Sequence, residues 1–343
     1  MKALVLQNYH DLSYEEVPEP TIGPEDVLIA VKACGICGSD VHGMDGSTGR
    51  RRPPIIMGHE AAGQIARVGE RVHGWAVGDR VTFDSTIYCG TCEFCRRGEV
   101  NLCHHRRVLG VSCEDYRQPG AFADFVAVPQ HILYRLPDSL SYEHAALIEP
   151  FTIALHAVRR KPVNLNDAAV IIGCGTIGLA LLQMAKLAGF GRIFVVDTAA
   201  DRLAQASKLG AHETINSAKV DALAEILRLT GGAGADQIFE AVGVPATVDL
   251  AVRGARKGGA VTLVGNVAAK VELPLQVVVT RELSLFGSCA SAGEYPACLD
   301  LMARGAITPG PLLSAVAPLR EGASWFRRLH AREPGLLKVI LAP

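Results

Sequence analysis

The sequence predicts an α/β protein in two parts: a β-rich part, and a doubly wound parallel sheet flanked by helices. Three observations carry this. Short apolar runs punctuated by Gly, Pro and Asp fill residues 1–150. From about Ala168 onward, strand-like runs alternate with segments of helical period. At 343 residues the chain is also longer than one ordinary core supports, so two domains are expected.

In the first part, KALVLQ, VLIAVKA, AAGQIARV, RVTFD and AFADFVAVP read as strands separated by turn residues. AALIEPFTIALHAVRR has helical spacing and reads as a connecting helix. AAVIIG is then a buried strand, and TIGLALLQMAKLAG an apolar helix stopped by glycine. RIFVVD is a second strand, followed by a helix from Ala199 to Leu209. DQIFEAVG and GAVTLVG are further strands, with helical VPATVDLAVRGARK between them. After about Leu285 this rhythm stops, and a helix (YPACLDLMARG) and a strand (LLKVILA) are expected to return to the first part. The expected domains are therefore 1–152 with 288–343, and 153–287.

Hydrophobic residues make up 49% of the chain, charged residues 20%, and the formal net charge is −1. Such a balance creates no global field toward nucleic acid or a membrane surface. No run of eighteen apolar residues is present, which argues against a membrane-spanning helix. The opening MKALVLQNYH has one lysine and no long apolar stretch, so no signal peptide is expected. Reduced thiols and a cytoplasmic location are the consequent expectation for the ten cysteines.

Four of them, Cys89, Cys92, Cys95 and Cys103, form a Cys-x2-Cys-x2-Cys-x7-Cys run. Short Cys-x2-Cys steps let thiolates close on one tetrahedral zinc, and four thiolates leave no position for substrate. This predicts a structural zinc in a lobe of about 86–108, poor in apolar residues; two disulfides are the alternative. Cys34, at the end of VLIAVKA, reads as buried. Cys113, Cys174, Cys289 and Cys298 have no metal-binding partners at suitable spacing.

Gly173, Gly175 and Gly178 form G-C-G-T-I-G between a strand and a helix, the context that a dinucleotide turn requires. The first glycine turns the chain, the second admits a pyrophosphate, and the third lets helix and strand pack closely. The phosphates would face Thr176 and Ile177 at the positive end of the helix. Asp197 ends the next strand, where a carboxylate can take the ribose hydroxyls and repel a 2′-phosphate. NAD is therefore expected rather than NADP, and Arg202 is the feature that works against this by offering a phosphate partner.

GICGSDVH carries Cys37, Ser39, Asp40 and His42; GHE carries His59 and Glu60; LIEPF carries Glu149. Beside a nucleotide fold, these look like a second metal site of mixed S, N and O ligands that keeps a position open for substrate. In this order with the four-cysteine lobe, GCGTIG and VVD, the motifs resemble the zinc-dependent medium-chain dehydrogenases, and most of all their sorbitol and polyol dehydrogenase branch. The match covers essentially the whole chain.

The resemblance implies a GroES-like catalytic domain and a Rossmann domain. It implies a catalytic zinc held by Cys37, His59 and Glu60, with Glu149 where the alcohol-dehydrogenase branch has a cysteine. Because zinc, one thiolate and one carboxylate already balance, Glu149 is expected to contact the metal mostly through water or to exchange on and off it. Asp40 is expected to orient His59. Val242, Val264, Gly265, Asn266 and Cys289 fall along the implied cofactor site. The implied reaction moves a hydride between NAD and a secondary alcohol or ketone, with the proton leaving through Ser39, the cofactor ribose and His42. The implied substrate is a polyol, a sugar alcohol or its phosphate, and the implied assembly is a homodimer or homotetramer.

Two positions depart from the branch. Gly43 stands where an aromatic residue commonly follows the histidine, and Ala290-Ser291 where an Arg-Tyr pair is often found. Both are expected to leave space. Arg50, Arg51 and Arg52 form a cationic run that reads as a solvated loop or a phosphate contact. Alternative readings are a threonine-type or other alcohol dehydrogenase, a zinc-free quinone or enoyl reductase of the same fold, and a non-catalytic nucleotide-binding relative. The reductases lack the Cys and His-Glu ligands, and a non-catalytic relative is expected to lose Ser39 or a ligand; this chain keeps them all.

Overall fold

The computed structural model describes residues 1–113 and 115–343. The chain divides into two compact units, Met1–Glu149 with Tyr295–Pro343, and Pro150–Glu294. The divisions fall three residues before and seven residues after the boundaries expected from the sequence. The first lies inside the helix Ile148–Val158, and the second just before the helix Tyr295–Ala303.

The first unit is built on a seven-stranded sheet. Leu133–Arg135, Arg80–Phe83, Glu60–Val68, Asp26–Gly35, Lys338–Ala342 and Leu313–Pro318 lie side by side in that order, and Phe125–Pro129 also pairs with Asp26–Gly35. The strand Asp26–Gly35 is the hub because its side chains are almost all apolar and buried. Around it pack Leu4, Leu6, Ile65, Phe83, Phe122 and Phe326. The C-terminal strand joins through antiparallel pairs Ile340–Gly35 and Leu341–Cys34. Cys34 is fully buried.

The second unit is a six-stranded parallel sheet. Its order is Glu213–Asn216, Arg192–Asp197, Ala168–Ile172, Ala235–Glu240, Ala255–Leu263 and Ser284–Gly287. That is the third, second, first, fourth, fifth and sixth strand of the unit, the order of dinucleotide-binding folds. Its first strand has every residue buried, as a strand covered on both faces must. The order reverses beside this strand, between Ala168–Ile172 and Ala235–Glu240, the topological switch point of such sheets. Among the described residues, no helix is long and apolar enough to cross a membrane.

Candidate active site

Glu60 opens its strand opposite Gly35, and Ile340 pairs with Gly35 from the other side. Lys338 lies two residues before Ile340, on the same face. Gly35 has no side chain to fill the gap, and a methyl group there would sit 2.5 Å from Glu60 Oε2. Glu60 and Lys338 therefore meet across the glycine. Lys338 Nζ donates to Oε1 at 2.8 Å and to Oε2 at 2.6 Å, and both residues are buried.

Cys37 precedes the short helix Gly38–Met44, and His59 precedes the Glu60 strand. The ligating atoms of Cys37, His59 and Glu60 all lie within 4.8 Å of one another. Asp40 is fully buried; its Oδ1 lies 3.3 Å from His59 Nδ1, and its Oδ2 accepts from the Cys37 N–H at 3.2 Å. Burial pushes the Asp40 carboxyl up, but the His59 charge and hydrogen bond, then Arg51, outweigh it and hold it well below the usual range. Burial lowers His59, but Asp40 and then Cys37 raise it well above an ordinary imidazole. A sulfur, a nitrogen and a carboxylate converging in a buried place, with the imidazole fixed by a carboxylate, fit a divalent zinc with an open position.

Glu149 is buried in the second residue of the helix Ile148–Val158. Burial, and then the neighbouring Glu60, raise its carboxyl to about 8, against the opposing pull of His59 and Lys338. This corrects the charge balance drawn from the sequence. A tally of zinc, Cys37 and Glu60 omits the Lys338 ammonium; with it, an ionised Glu149 leaves the set neutral rather than negative. Charge alone therefore gives no reason to hold Glu149 away from the metal. The lysine in LLKVILA, a charge inside an otherwise apolar strand, was the available signal.

Ser39 and His42 lie on the helix Gly38–Met44, and His42 is partly exposed, with Nδ1 3.8 Å from Asp45 Oδ2. Two sequence expectations fail beside them. Arg51 is not a surface cation: it is buried, and its Nη2 donates to Ser39 Oγ at 3.0 Å and to Asp40 Oδ1 at 3.1 Å. Gly43 does not open space, because a methyl group on it would meet Arg51 Cδ and Cγ at 2.8 Å. Arg50 and Arg52 remain exposed.

In the cysteine lobe, the sulfurs of Cys89, Cys92, Cys95 and Cys103 lie within 4.8 Å of one another. Cys89 and Cys95 sulfurs are 3.9 Å apart, and Cys92 and Cys95 sulfurs 3.5 Å. A tetrahedral zinc with bonds of about 2.3 Å sets sulfurs about 3.8 Å apart, whereas disulfide sulfurs bond at about 2.0 Å. The lobe thus fits one zinc and no disulfide. Backbone N–H groups of Cys92, Cys89 and His105 point at Cys89 and Cys103 sulfurs at 3.3–3.4 Å, which favours thiolates.

In the second unit, Gly173 takes φ +95°, and a methyl group there would meet Val242 Cγ2 at 2.5 Å. A methyl group on Gly178 would lie 1.8 Å from Gly173 O, so the helix Thr176–Ala188 starts against the turn only with glycine. Gly175 has nothing within 4 Å, leaving its face open for a phosphate. Ile177 follows Thr176 in the first turn of this helix. Asp197 braces the turn: Oδ2 accepts from the Cys174 N–H at 2.6 Å, and Oδ1 from the Ala199 N–H at 2.8 Å. Cys174 is buried and its thiol donates to the Arg202 carbonyl at 3.2 Å, so it turns away from the open face.

Glu240, buried and not singled out by any motif, organises the neighbouring turn. Its Oε1 accepts from the N–H groups of Val242 and Gly243 at 2.9 and 2.8 Å, and its carbonyl from Val264 and Gly265. Val242, Val264, Gly265 and Asn266 are thereby gathered at the carboxyl ends of two adjacent strands. Cys289 is exposed, two residues beyond the strand Ser284–Gly287.

Residues 23–138 match the family model of the alcohol dehydrogenase GroES-like domain, and residues 176–304 that of the zinc-binding dehydrogenases. The chain is 37% identical to sorbitol dehydrogenase of Bacillus subtilis (strain 168), over 100% of this chain and 97% of that protein. It is 36% identical to D-arabitol-phosphate dehydrogenase of Enterococcus avium, over 97% and 94% of the two chains. A solved zinc-binding dehydrogenase from Sinorhizobium meliloti 1021, bound to NADP, superposes with a TM-score of 0.89 at 32% identity, covering 100% of this chain and 99% of that one.

Proposed function

The chain belongs to the zinc-binding, medium-chain dehydrogenases, and we propose that within them it oxidises the secondary hydroxyl of a polyol with NAD, holding two zinc ions in unequal roles. The observation that carries this is the buried meeting of Cys37, His59 and Glu60, with Glu149 set beside them. Zinc there would supply Lewis acidity to a substrate hydroxyl, and the nicotinamide would supply the redox step. The chain's own residues do the rest. Asp40 holds the His59 ring so that its second nitrogen faces the metal position. Ser39 takes the hydroxyl proton, and His42 passes it to solvent. Glu149 accepts a hydrogen bond from a neighbouring hydroxyl, which a mono-alcohol does not have.

Asp197 supports NAD: each of its oxygens accepts one backbone N–H and keeps a lone pair for a ribose hydroxyl, whereas a 2′-phosphate there would face a carboxylate of like charge. A cytoplasmic homo-oligomer is part of the same reading. Arg51, turned inward onto Ser39 and Asp40, is not available to a phosphate, so an unphosphorylated polyol is favoured. The test is NADH formation with D-sorbitol, D-arabitol, butane-2,3-diol, D-arabitol phosphate, L-threonine and butan-2-ol, each with NAD and with NADP. A specificity constant higher for the polyols, with NAD, is expected. A higher value for butan-2-ol would refute the polyol reading, and a higher value with NADP the cofactor reading.

A further inference from the structure

Arg51 lies in a run that reads as surface charge, yet it is 5% exposed and packed onto a glycine. Its two hydrogen bonds leave from one atom. Nη2 carries two protons; one goes to Ser39 Oγ at 3.0 Å and the other to Asp40 Oδ1 at 3.1 Å. The same Oδ1 is the atom 3.3 Å from His59 Nδ1. One guanidinium nitrogen thus joins the hydroxyl at which the proton path begins to the carboxylate that sets the imidazole.

The consequence for Ser39 follows from its valence. A hydroxyl has one proton and two acceptor lone pairs. Arg51 occupies one lone pair and, being always charged, repels the hydroxyl proton away from itself. A single open lone pair and a single outgoing proton remain. Ser39 can then accept a proton on that lone pair as it releases its own onward, and in no other arrangement. The fixed positive charge also favours release of the outgoing proton.

Gly43 is the other half of the device. A methyl group at residue 43 would sit 2.8 Å from Arg51 Cδ and Cγ and 3.2 Å from its Cβ. The stem of Arg51 thus packs directly on Gly43, within the helix Gly38–Met44. Any larger residue at 43 forces the arginine off this path.

We propose that Arg51 is a positioning residue that aims the Ser39 hydroxyl and steadies the Asp40–His59 pair, and that Gly43 is required to seat it. The role rests on the reading that Ser39 begins the proton path. Three variants test it: Arg51→Gln, Gly43→Ala, and the two combined. With the best polyol of the panel, Arg51→Gln lowers kcat by about 10- to 100-fold while KM changes by less than about threefold, because a proton-transfer geometry is lost and not a binding contact. The solvent deuterium isotope effect on kcat rises, and Arg51→Lys restores part of the rate. Gly43→Ala gives the same isotope signature with the arginine still present. The double variant is no slower than Arg51→Gln, since both changes remove one interaction. Additive losses, or an unchanged isotope effect, would overturn the proposal.

A second readout does not need turnover. In protein loaded with Co²⁺, the Nδ1–H proton of a ligating histidine is shifted far from the other resonances. Its exchange with water should quicken in Arg51→Gln and Gly43→Ala; a rate that does not rise overturns the coupling to Asp40. If the wild type oxidises no polyol, the functional reading fails, and the Co²⁺ measurement still decides the positioning role.

Discussion

Replacing Lys338 by Met separates the charges around Glu60 most cleanly. The Lys338 ammonium donates to both Glu60 oxygens, at 2.8 and 2.6 Å, and both side chains are buried. Removing one partner of such a pair leaves an uncompensated buried charge and costs about 3–5 kcal/mol. For a unit of this size, each kcal/mol lowers the melting temperature by roughly 2–4 °C, so the metal-free variant should melt about 6–20 °C below metal-free wild type. Zinc changes the comparison. A divalent ion held by Cys37, His59 and Glu60 takes over the compensation of Glu60, and it no longer faces a nearby ammonium. The deficit should therefore shrink when both proteins carry zinc. The double variant Glu60→Gln/Lys338→Met should recover much of the metal-free loss, because neither charge is then stranded. Calorimetric melts of the three proteins, with chelator and with zinc, decide the matter. An equal deficit in both metal states would refute the claim that Glu60 faces the metal.

Three further outcomes follow from the geometry. Cys95→Ser should release the lobe's zinc and open the loop between Cys89 and Cys103, so that trypsin cuts after Arg96 or Arg97; resistance equal to wild type would count against a metal-held lobe. Asp197→Ala should narrow the preference for NAD and also loosen the glycine turn, because it frees the N–H groups of Cys174 and Ala199; an unchanged NAD to NADP ratio would show that Asp197 does not select the cofactor. Metal-free protein should lose stability as pH rises from about 4.5 toward about 8, because burial and Glu60 raise the Glu149 carboxyl to about 8 and the folded state binds the proton that the unfolded chain has released. The raised His59 acts in the same direction, and a stability that rises with pH across this window would contradict the placement of Glu149.

What could be read from the sequence was what short spacing encodes. The four cysteines span fifteen positions, so their spacing alone brings the sulfurs together. The glycine turn and Asp197 lie within one strand–helix–strand unit, and the parallel sheet followed from its alternating pattern. Two strands of that sheet, Glu213–Asn216 and Ser284–Gly287, were not legible, because each has four residues and little fully buried apolar surface. The strand Leu313–Pro318 and the helix Gly322–His330 carry an equally weak signal in the tail, because most of their residues are polar or partly exposed. Contacts made by distant pairing were also out of reach. Glu60 and Lys338 are separated by 278 positions and meet only because their strands flank Gly35. The charged neighbours of Arg51 predict a surface side chain, whereas its direction is set by the space over Gly43.

If Cys37, His59 and Glu60 form the metal site at which the alcohol reacts, zinc content and turnover must fall together when Cys37 is lost. The direct measurement is zinc per chain, taken together with NADH formation from a polyol, in wild type and in Cys37→Ser. Wild type should carry two zinc ions and turn over; Cys37→Ser should carry one, form no NADH, and melt within a few degrees of metal-matched wild type. A variant that keeps both ions, or one that keeps turning over with a single ion, would contradict it.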